Sequence, residues 1–376
     1  MFVNNSKVFF KLDTLFVNCA KLKLEVIKVR AVALKGKREF ELKEIDEPVK
    51  DGENVVIKVL KTGICGSDLH YFEMGEPVGL VMGHEFCGEV IDPGNRSDLK
   101  VGDRVTALPI SPCGSCPACL SGNPQYCKST WSKAVGLSFD NPGGLTEKIK
   151  VRSDMVLKVP DSVSDEEAAM VEPIAVALHG IHLADVKVGS KVLVIGGGII
   201  GLLSAMFAKK EGASYVAVSE TNPNRGKKAL DLCVADKYYD ARDENMLNEV
   251  MTDTNGGFDI VIECCGNASA VTSSLVTVKP GGVVVLVGVA TGPINIPTVV
   301  AVMNELTIKG AIAYTKNEFA MCLDLISSKQ IEVMKFVSDI VSYNEVESAY
   351  LRLTSGNDDA IKIIVDPTKK SEAKRS

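Results

Sequence analysis

The sequence predicts an α/β protein built from two unlike units, a β-rich one followed by a doubly wound one with a parallel sheet. Three observations carry that expectation. The chain has 376 residues, well beyond the roughly 150 that a single domain holds. From Val29 to about Val159 its short apolar runs are broken by Gly, Pro and Asp, the texture of strands joined by turns. From Lys191 onward, continuous apolar runs alternate with helical stretches, as strands buried on both faces of a parallel sheet require.

In chain order, the first 28 residues mix apolar and lysine positions without turn or cap signals, and they read as an N-terminal extension standing apart from the fold. Val29-Arg30-Ala31-Val32 opens a strand-like alternation, with Val29 as a candidate true start. The runs Val55–Val59, Gly88–Ile91 and Asp103–Ala107 follow as strands, spaced as in a barrel. Asp165-Glu166-Glu167-Ala168-Ala169-Met170 opens a helix whose first-turn acids suit the helix dipole. Val192–Ile195, Tyr215–Val218, Asp259–Ile262 and Val283–Val287 are the strands of the second unit.

Composition narrows the function classes. The net charge is -6, and basic residues cluster only at Lys369, Lys370, Lys374 and Arg375, so nucleic acid is not an expected partner. No uncharged run reaches the ~18 residues of a membrane span. Lys7, Lys11, Asp13 and Lys21 interrupt the N-terminal apolar cluster, so it does not read as a signal peptide and a cytoplasmic protein is expected. The 11 cysteines are not spread as a secreted disulfide framework. Cys19, Cys87, Cys233, Cys264, Cys265 and Cys322 sit in apolar surroundings and read as inert thiols; the other five fall in motifs.

Gly196-Gly197-Gly198-Ile199-Ile200-Gly201 follows the strand Val192–Ile195 and opens a helix expected near Leu202. In that context Gly196 permits the tight turn, Gly198 lets backbone approach a pyrophosphate, and Gly201 allows close helix–strand packing, so that phosphates meet the positive helix end. Glu220 stands at the end of the next strand, where an acid binds ribose hydroxyls and repels a 2′-phosphate. NAD is therefore the expected cofactor, with Arg225 keeping NADP as the alternative.

Cys113, Cys116, Cys119 and Cys127 place four thiols within fifteen residues. Such spacing closes a tetrahedral zinc shell with no position left for substrate, hence a structural site. A second constellation lies earlier, in Gly63-Ile64-Cys65-Gly66-Ser67-Asp68-Leu69-His70 and Gly83-His84-Glu85, which hold two of the four histidines in the chain.

These motifs, the four-cysteine lobe, Glu172-Pro173 and the nucleotide fingerprint stand in the order found in zinc-containing medium-chain dehydrogenases, and the chain resembles that family over about residues 29–366. The resemblance implies a GroES-like catalytic domain at 29–172, a Rossmann NAD-binding domain at 173–310, and a return to the catalytic domain at 311–376. It implies two zinc ions per chain, with Cys65 and His84 on the catalytic one and either Glu85 or Glu172 as oxygen ligand. Asp68 is then the acceptor that orients His84. A zinc ion lowers the pKa of a bound hydroxyl, and Ser67 takes the alcohol proton and passes it by the ribose toward His70. Family alcohol dehydrogenases carry cysteine where Glu172 stands, which aligns this chain with the sorbitol, butanediol and threonine dehydrogenase branch.

His70-Tyr71-Phe72 resembles the run in which a tyrosine lines a polyol site, yet Ala311-Ile312-Ala313-Tyr314 lacks the arginine of the matching segment. Losing that guanidinium weakens recognition of several hydroxyls. The substrates expected are a polyol, a diol such as 2,3-butanediol, threonine, or a bulkier secondary alcohol such as a hydroxysteroid. A homodimer or homotetramer is implied by family. Two other readings remain open at this level, a redox-silent zinc-stabilised nucleotide sensor and a zinc-free reductase. His179 and His182, on a helical stretch, read as packing or surface residues.

Overall fold

The computed structural model describes residues 27–290 and 292–369. All but the last two residues of the extension, and the basic tail past Lys369, lie outside the described residues. Strands β1 (Lys28–Gly36) and β2 (Glu39–Asp46) form an antiparallel hairpin. It is followed by β3 (Val55–Gly63), β4 (Glu85–Asp92), β5 (Arg104–Ala107), β6 (Lys148–Val151) and β7 (Val156–Lys158). The second unit contributes β8 (Lys191–Ile195), β9 (Tyr215–Glu220), β10 (Lys237–Asp240), β11 (Phe258–Glu263), β12 (Val278–Leu286) and β13 (Thr307–Gly310). The chain then returns through β14 (Val337–Val341) and β15 (Lys362–Val365).

The six strands β8 to β13 make a parallel sheet in the order β10-β9-β8-β11-β12-β13. Leu193, Val194, Ala217, Val218, Val261 and Ile262 are fully buried in it, which is why these strands read as unbroken apolar runs. The order reverses between β8 and β11, and the crevice outside their carboxyl ends is where such a sheet takes a ligand. The other sheet has the order β14-β15-β3-β4-β5-β7, with β6 also on β3. Among the described residues its end strands β7 and β14 do not pair, so the barrel expected from the spacing is a partly open one.

Two crossings join the units. The helix Val171–Ala184 leads out to the parallel sheet, and residues 311–315 lead back into the helix Lys316–Ser327, which packs against the outgoing helix. One apolar cluster runs through both units, from Leu108, Ile110 and Met155 through Ile174, Leu178, Val194 and Leu203 to Phe319 and Leu323. The acid-rich stretch forms the helix Asp165–Ala169, started by a reciprocal cap. The Ser164 hydroxyl accepts from Glu167 N–H at 3.1 Å and the Glu167 carboxylate accepts from Ser164 N–H at 2.8 Å. No helix among the described residues is long and apolar enough to cross a membrane.

Candidate active site and metal centres

The helix after the glycine-rich turn begins at Ile199, three residues earlier than expected from sequence, with Gly198 in extended backbone as its cap. Gly196 has φ 110°, a conformation that side chains rarely adopt. A Cβ on Gly201 would lie 1.8 Å from Gly196 O, whereas one on Gly198 would meet nothing within 4 Å. The turn is therefore tight beneath and open above, a cradle for a pyrophosphate at the N-terminus of the helix carrying Ile199 and Ile200. Glu220 ends β9 with its carboxylate fully held: Oε2 accepts from Gly197 N–H at 2.7 Å, and Oε1 from Thr221 N–H at 2.7 Å and Asn222 N–H at 2.8 Å. Arg225 turns away, donating weakly to Leu353 O at 3.4 Å. A fixed carboxylate facing the turn, with the neighbouring guanidinium directed elsewhere, suits unphosphorylated ribose hydroxyls.

The four lobe thiols converge, the sulfurs of Cys113, Cys116, Cys119 and Cys127 all lying within 4.8 Å of one another. Backbone N–H groups of Cys113 and Cys116 donate to the sulfurs of Cys127 and Cys113, each at 3.3 Å. Hydrogen bonds from Ser129 and from the Cys113 backbone pull the Cys127 thiol down to about 5, while burial pushes Cys119 up to about 11. Four sulfurs this close cannot all be thiolates without a cation among them, and the donor set is that of a closed zinc shell. Arg152 leans over the lobe, bonded to Pro112 O and to Asp154, and the negative charge of Cys119 and Cys113 reinforces its own.

The second constellation gathers at the junction of the units. Cys65 caps the helix Gly66–Met74, so its sulfur sits at a positive helix end, and Ser67 Oγ donates to that sulfur at 3.3 Å. His84 opens toward the same point from the edge of β4. Its Nδ1 lies 3.4 Å from Asp68 Oδ1, which leaves Nε2 as the ligand atom. Glu85, fully buried, forms an ion pair through Oε2 with the equally buried Lys362, whose ammonium also donates to Ile64 O at 2.8 Å. Glu172, in the first turn of the helix Val171–Ala184, accepts from the Tyr314 hydroxyl at 3.0 Å.

Charge around this point is unbalanced. His84 Nδ1, both Asp68 oxygens and Glu85 Oε1 are buried without a well-formed hydrogen bond, an arrangement that native interiors avoid. Burial works against a charged His84, but the negative Asp68 and Cys65 hold it well above its usual range. Burial raises Glu172 to about 7, helped by the negative charge of Glu85 and opposed by His84 and the Tyr314 hydroxyl. A divalent cation held by His84 Nε2 would give Glu85 Oε1 a partner, leave Nδ1–H as the donor to Asp68, and reverse both shifts. Among the described residues the lobe thiols are the group of ligand atoms drawn within 4.8 Å of one another; at the junction, Glu85 is engaged by Lys362.

His70 is exposed one turn after Ser67, and Tyr71 packs half-buried against the apolar cluster around Phe72 and Tyr350. Lys362 and Tyr314 escaped the sequence reading as partners of the site, since neither stands in a motif. His179 is buried and His182 partly exposed, the packing and surface positions expected of them, and both also bond Glu318.

Residues 51–161 match the alcohol dehydrogenase GroES-like domain, and residues 200–328 match the zinc-binding dehydrogenase family. The chain is 31% identical over 353 residues to the sorbitol dehydrogenase of Bacillus subtilis, covering 91% of this chain and 98% of that protein. It is 31% identical over 353 residues to the sorbitol dehydrogenase of Bombyx mori, with 89% and 97% covered. The crystal structure of 2R,3R-butanediol dehydrogenase from Bacillus subtilis superposes with a TM-score of 0.80 at 29% identity, over 90% of this chain and 100% of that one.

Proposed function

Since the chain belongs to the zinc-containing medium-chain dehydrogenases, on their sorbitol dehydrogenase-like branch, and is thereby an oxidoreductase of alcohols, we propose that it oxidises a secondary alcohol of polyol or diol type with NAD. The observation that carries this reading is the meeting of half-buried Cys65 with buried His84, Asp68 and Glu85, the last three holding polar atoms without a hydrogen-bond partner, a donor set that suits a zinc ion beside Glu172. When bound, that ion supplies Lewis acidity to the substrate hydroxyl, and NAD supplies the hydride acceptor.

The chain's residues do the rest. Cys65 and His84 are the sulfur and nitrogen ligands, and Asp68 fixes the imidazole through Nδ1. We assign the oxygen ligand to Glu85, whose Oε1 is buried without a partner, and leave Glu172 facing the reacting hydroxyl under the hold of Tyr314. Ser67 would take the hydroxyl proton at its Oγ, and exposed His70, one turn on along the same helix, would pass it to solvent. Glu220 holds the ribose hydroxyls and disfavours a 2′-phosphate. Cys113, Cys116, Cys119 and Cys127 hold a second, structural zinc, which fits a reducing cytoplasm. Ala313 where a guanidinium would bind several hydroxyls favours a diol over a long polyol.

Self-association is part of the same proposal. Among the described residues, strand β13 is an edge of the parallel sheet. Beside it the helix Thr298–Met303 exposes Val299, Val302 and Met303 by 66%, 73% and 77%, a surface suited to a second copy of the chain.

The test is a panel of sorbitol, xylitol, 2,3-butanediol, threonine and a hydroxysteroid with NAD or NADP, followed by cofactor absorbance. Zinc-dependent NAD reduction with one class, lost in Cys65→Ala, is the expected result. Tight NAD binding without turnover of any member, and no effect of His84→Ala on cellular function, would favour a redox-silent sensor instead.

A further inference from the structure

Seven residues past Glu172 on the outgoing helix stands His179, and three further His182. Both imidazoles turn to one carboxylate on the returning crossing. Glu318, buried in the first turn of the helix Lys316–Ser327, accepts from His179 Nδ1 at 2.9 and 3.1 Å and from His182 Nδ1 at 2.8 Å. The same carboxylate accepts from the backbone N–H and the hydroxyl of Thr315, each at 2.8 Å. An ordinary helix cap needs only the threonine. Here two further donors come from the opposite crossing, and no step of hydride transfer employs them.

The spacing gives the cluster its consequence. Positions i and i+7 share one face of a helix and lie about 10 Å apart along it, so Glu172 and His179 both face the returning segment. That segment answers at two points four residues apart, with Tyr314 on Glu172 at 3.0 Å and Glu318 on the two imidazoles. Two fixed points on one helix determine both its register and its tilt against the segment.

We infer that Glu318 is a positioning residue: by pinning the two crossings together through His179 and His182, it fixes the Tyr314 hydroxyl on Glu172 and so aims the Glu172 carboxylate within the active site. Charge agrees with the geometry. Burial opposes an ionised Glu318, but the two imidazoles and Thr315 outweigh it and keep the carboxyl well below its usual range. Glu318 in turn raises His182, against partial burial and with help from Glu211. The carboxylate also stands at a helix N-terminus and His182 in the last turn of its own helix, the ends that favour each charge.

The inference rests on the reading of Glu172 as the group facing the reacting hydroxyl, and the experiment separates the two. Glu318→Ala, Glu318→Gln, Tyr314→Phe, Glu172→Gln and the Glu318→Ala/Tyr314→Phe double variant are compared for kcat, for the KM of alcohol and NAD, and for the visible spectrum of the cobalt-substituted protein. Glu318→Ala is expected to lower kcat roughly ten- to a hundredfold, leave the KM for NAD unchanged, and shift the cobalt bands. Tyr314→Phe removes the route by which Glu318 acts, so the double variant should lose no more than Tyr314→Phe alone. Glu318→Gln, which keeps an acceptor oxygen, should recover most of the activity. Losses that multiply in the double variant, or a Glu318→Ala effect confined to the melting temperature, would overturn the inference. An unchanged kcat in Glu172→Gln would remove the Glu172 reading alone, with the cobalt spectrum of Glu318→Ala still deciding the positioning. Should Glu318→Ala not fold, His182→Gln serves in its place. A smaller cobalt shift in the same sense supports the inference, and an unshifted spectrum overturns it.

Discussion

At the scale of single residues, the two glutamates beside Cys65 and His84 separate by their partners. Glu85 shares a buried ion pair with Lys362, and Glu172 takes a hydroxyl from Tyr314. Glu85→Gln is expected to weaken catalytic zinc binding, measured by chelator competition, whereas Glu172→Gln keeps the metal and lowers kcat. Asp68→Asn should cost about 10- to 100-fold in affinity for the same zinc, through the freed His84 ring. Lys362→Met leaves a buried carboxylate unpaired, and unfolding should show a loss of about 3–5 kcal/mol. A spared melting transition in Lys362→Met would mean that Glu85 is neutral or metal-bound without it. Cys65, Ser67, Asp68 and His84 were legible in the sequence because each sits in a short glycine-bounded motif whose residue types have few other uses together. Lys362 was not, because it lies 277 residues from Glu85 inside an ordinary apolar strand. Tyr314 was noticed only for the arginine missing beside it.

At the scale of elements, legibility followed burial. Strands β8, β9, β11 and β12 are covered on both faces and announce themselves as apolar runs. Strand β10, Lys237–Asp240 at the sheet edge among the described residues, and four-residue β13 carry no such signal, while buried β15 is too short for its apolar run to stand out. The helix after the nucleotide turn was set late because the glycine before it caps in extended backbone, which glycine content alone does not reveal. Gly201→Ala tests that packing: its Cβ would strike Gly196 O at 1.8 Å, so NAD binding followed by fluorescence should be lost while the β-rich unit keeps its zinc. The facing ends of the helices Val171–Ala184 and Lys316–Ser327 predict a pH dependence. His182 is raised in the folded chain, so its contribution is complete below its unfolded pKa of about 6.5 and is lost as pH rises through the higher folded value. Glu318 is lowered, so its contribution holds above about 4.5 and is lost as pH falls through the depressed value. His182→Gln should therefore flatten the decline of melting temperature above neutral pH. With 37% of its side chain exposed, the effect should stay below about 1 kcal/mol.

At the scale of the whole molecule, two unlike units were legible because their strand textures differ, and the resemblance implied a return at 311–376, but the contacts that stitch the units were not legible. The shared apolar cluster and the two pinned crossings depend on residues far apart in sequence. Association is tested at this scale: Val302→Glu, on the exposed helix beside β13, should shift the mass measured by light scattering toward one chain per particle, with sheet content by circular dichroism unchanged. An unaltered mass would move the contact elsewhere. The pairing of β15 with β3, Ile364 against Gly63 and Val365 against Thr62, has a further consequence for biosynthesis. Strands β8 to β13 form one uninterrupted stretch of chain, so the cofactor unit is complete on the ribosome while the β-rich sheet still lacks its last strand. Lys362 travels on that strand, and Ile64 O waits 298 residues for its ammonium. The metal-binding pocket therefore acquires its counter-charge only after the whole cofactor unit has been made, and a chain cut before β15 would lack the cation that pairs with Glu85.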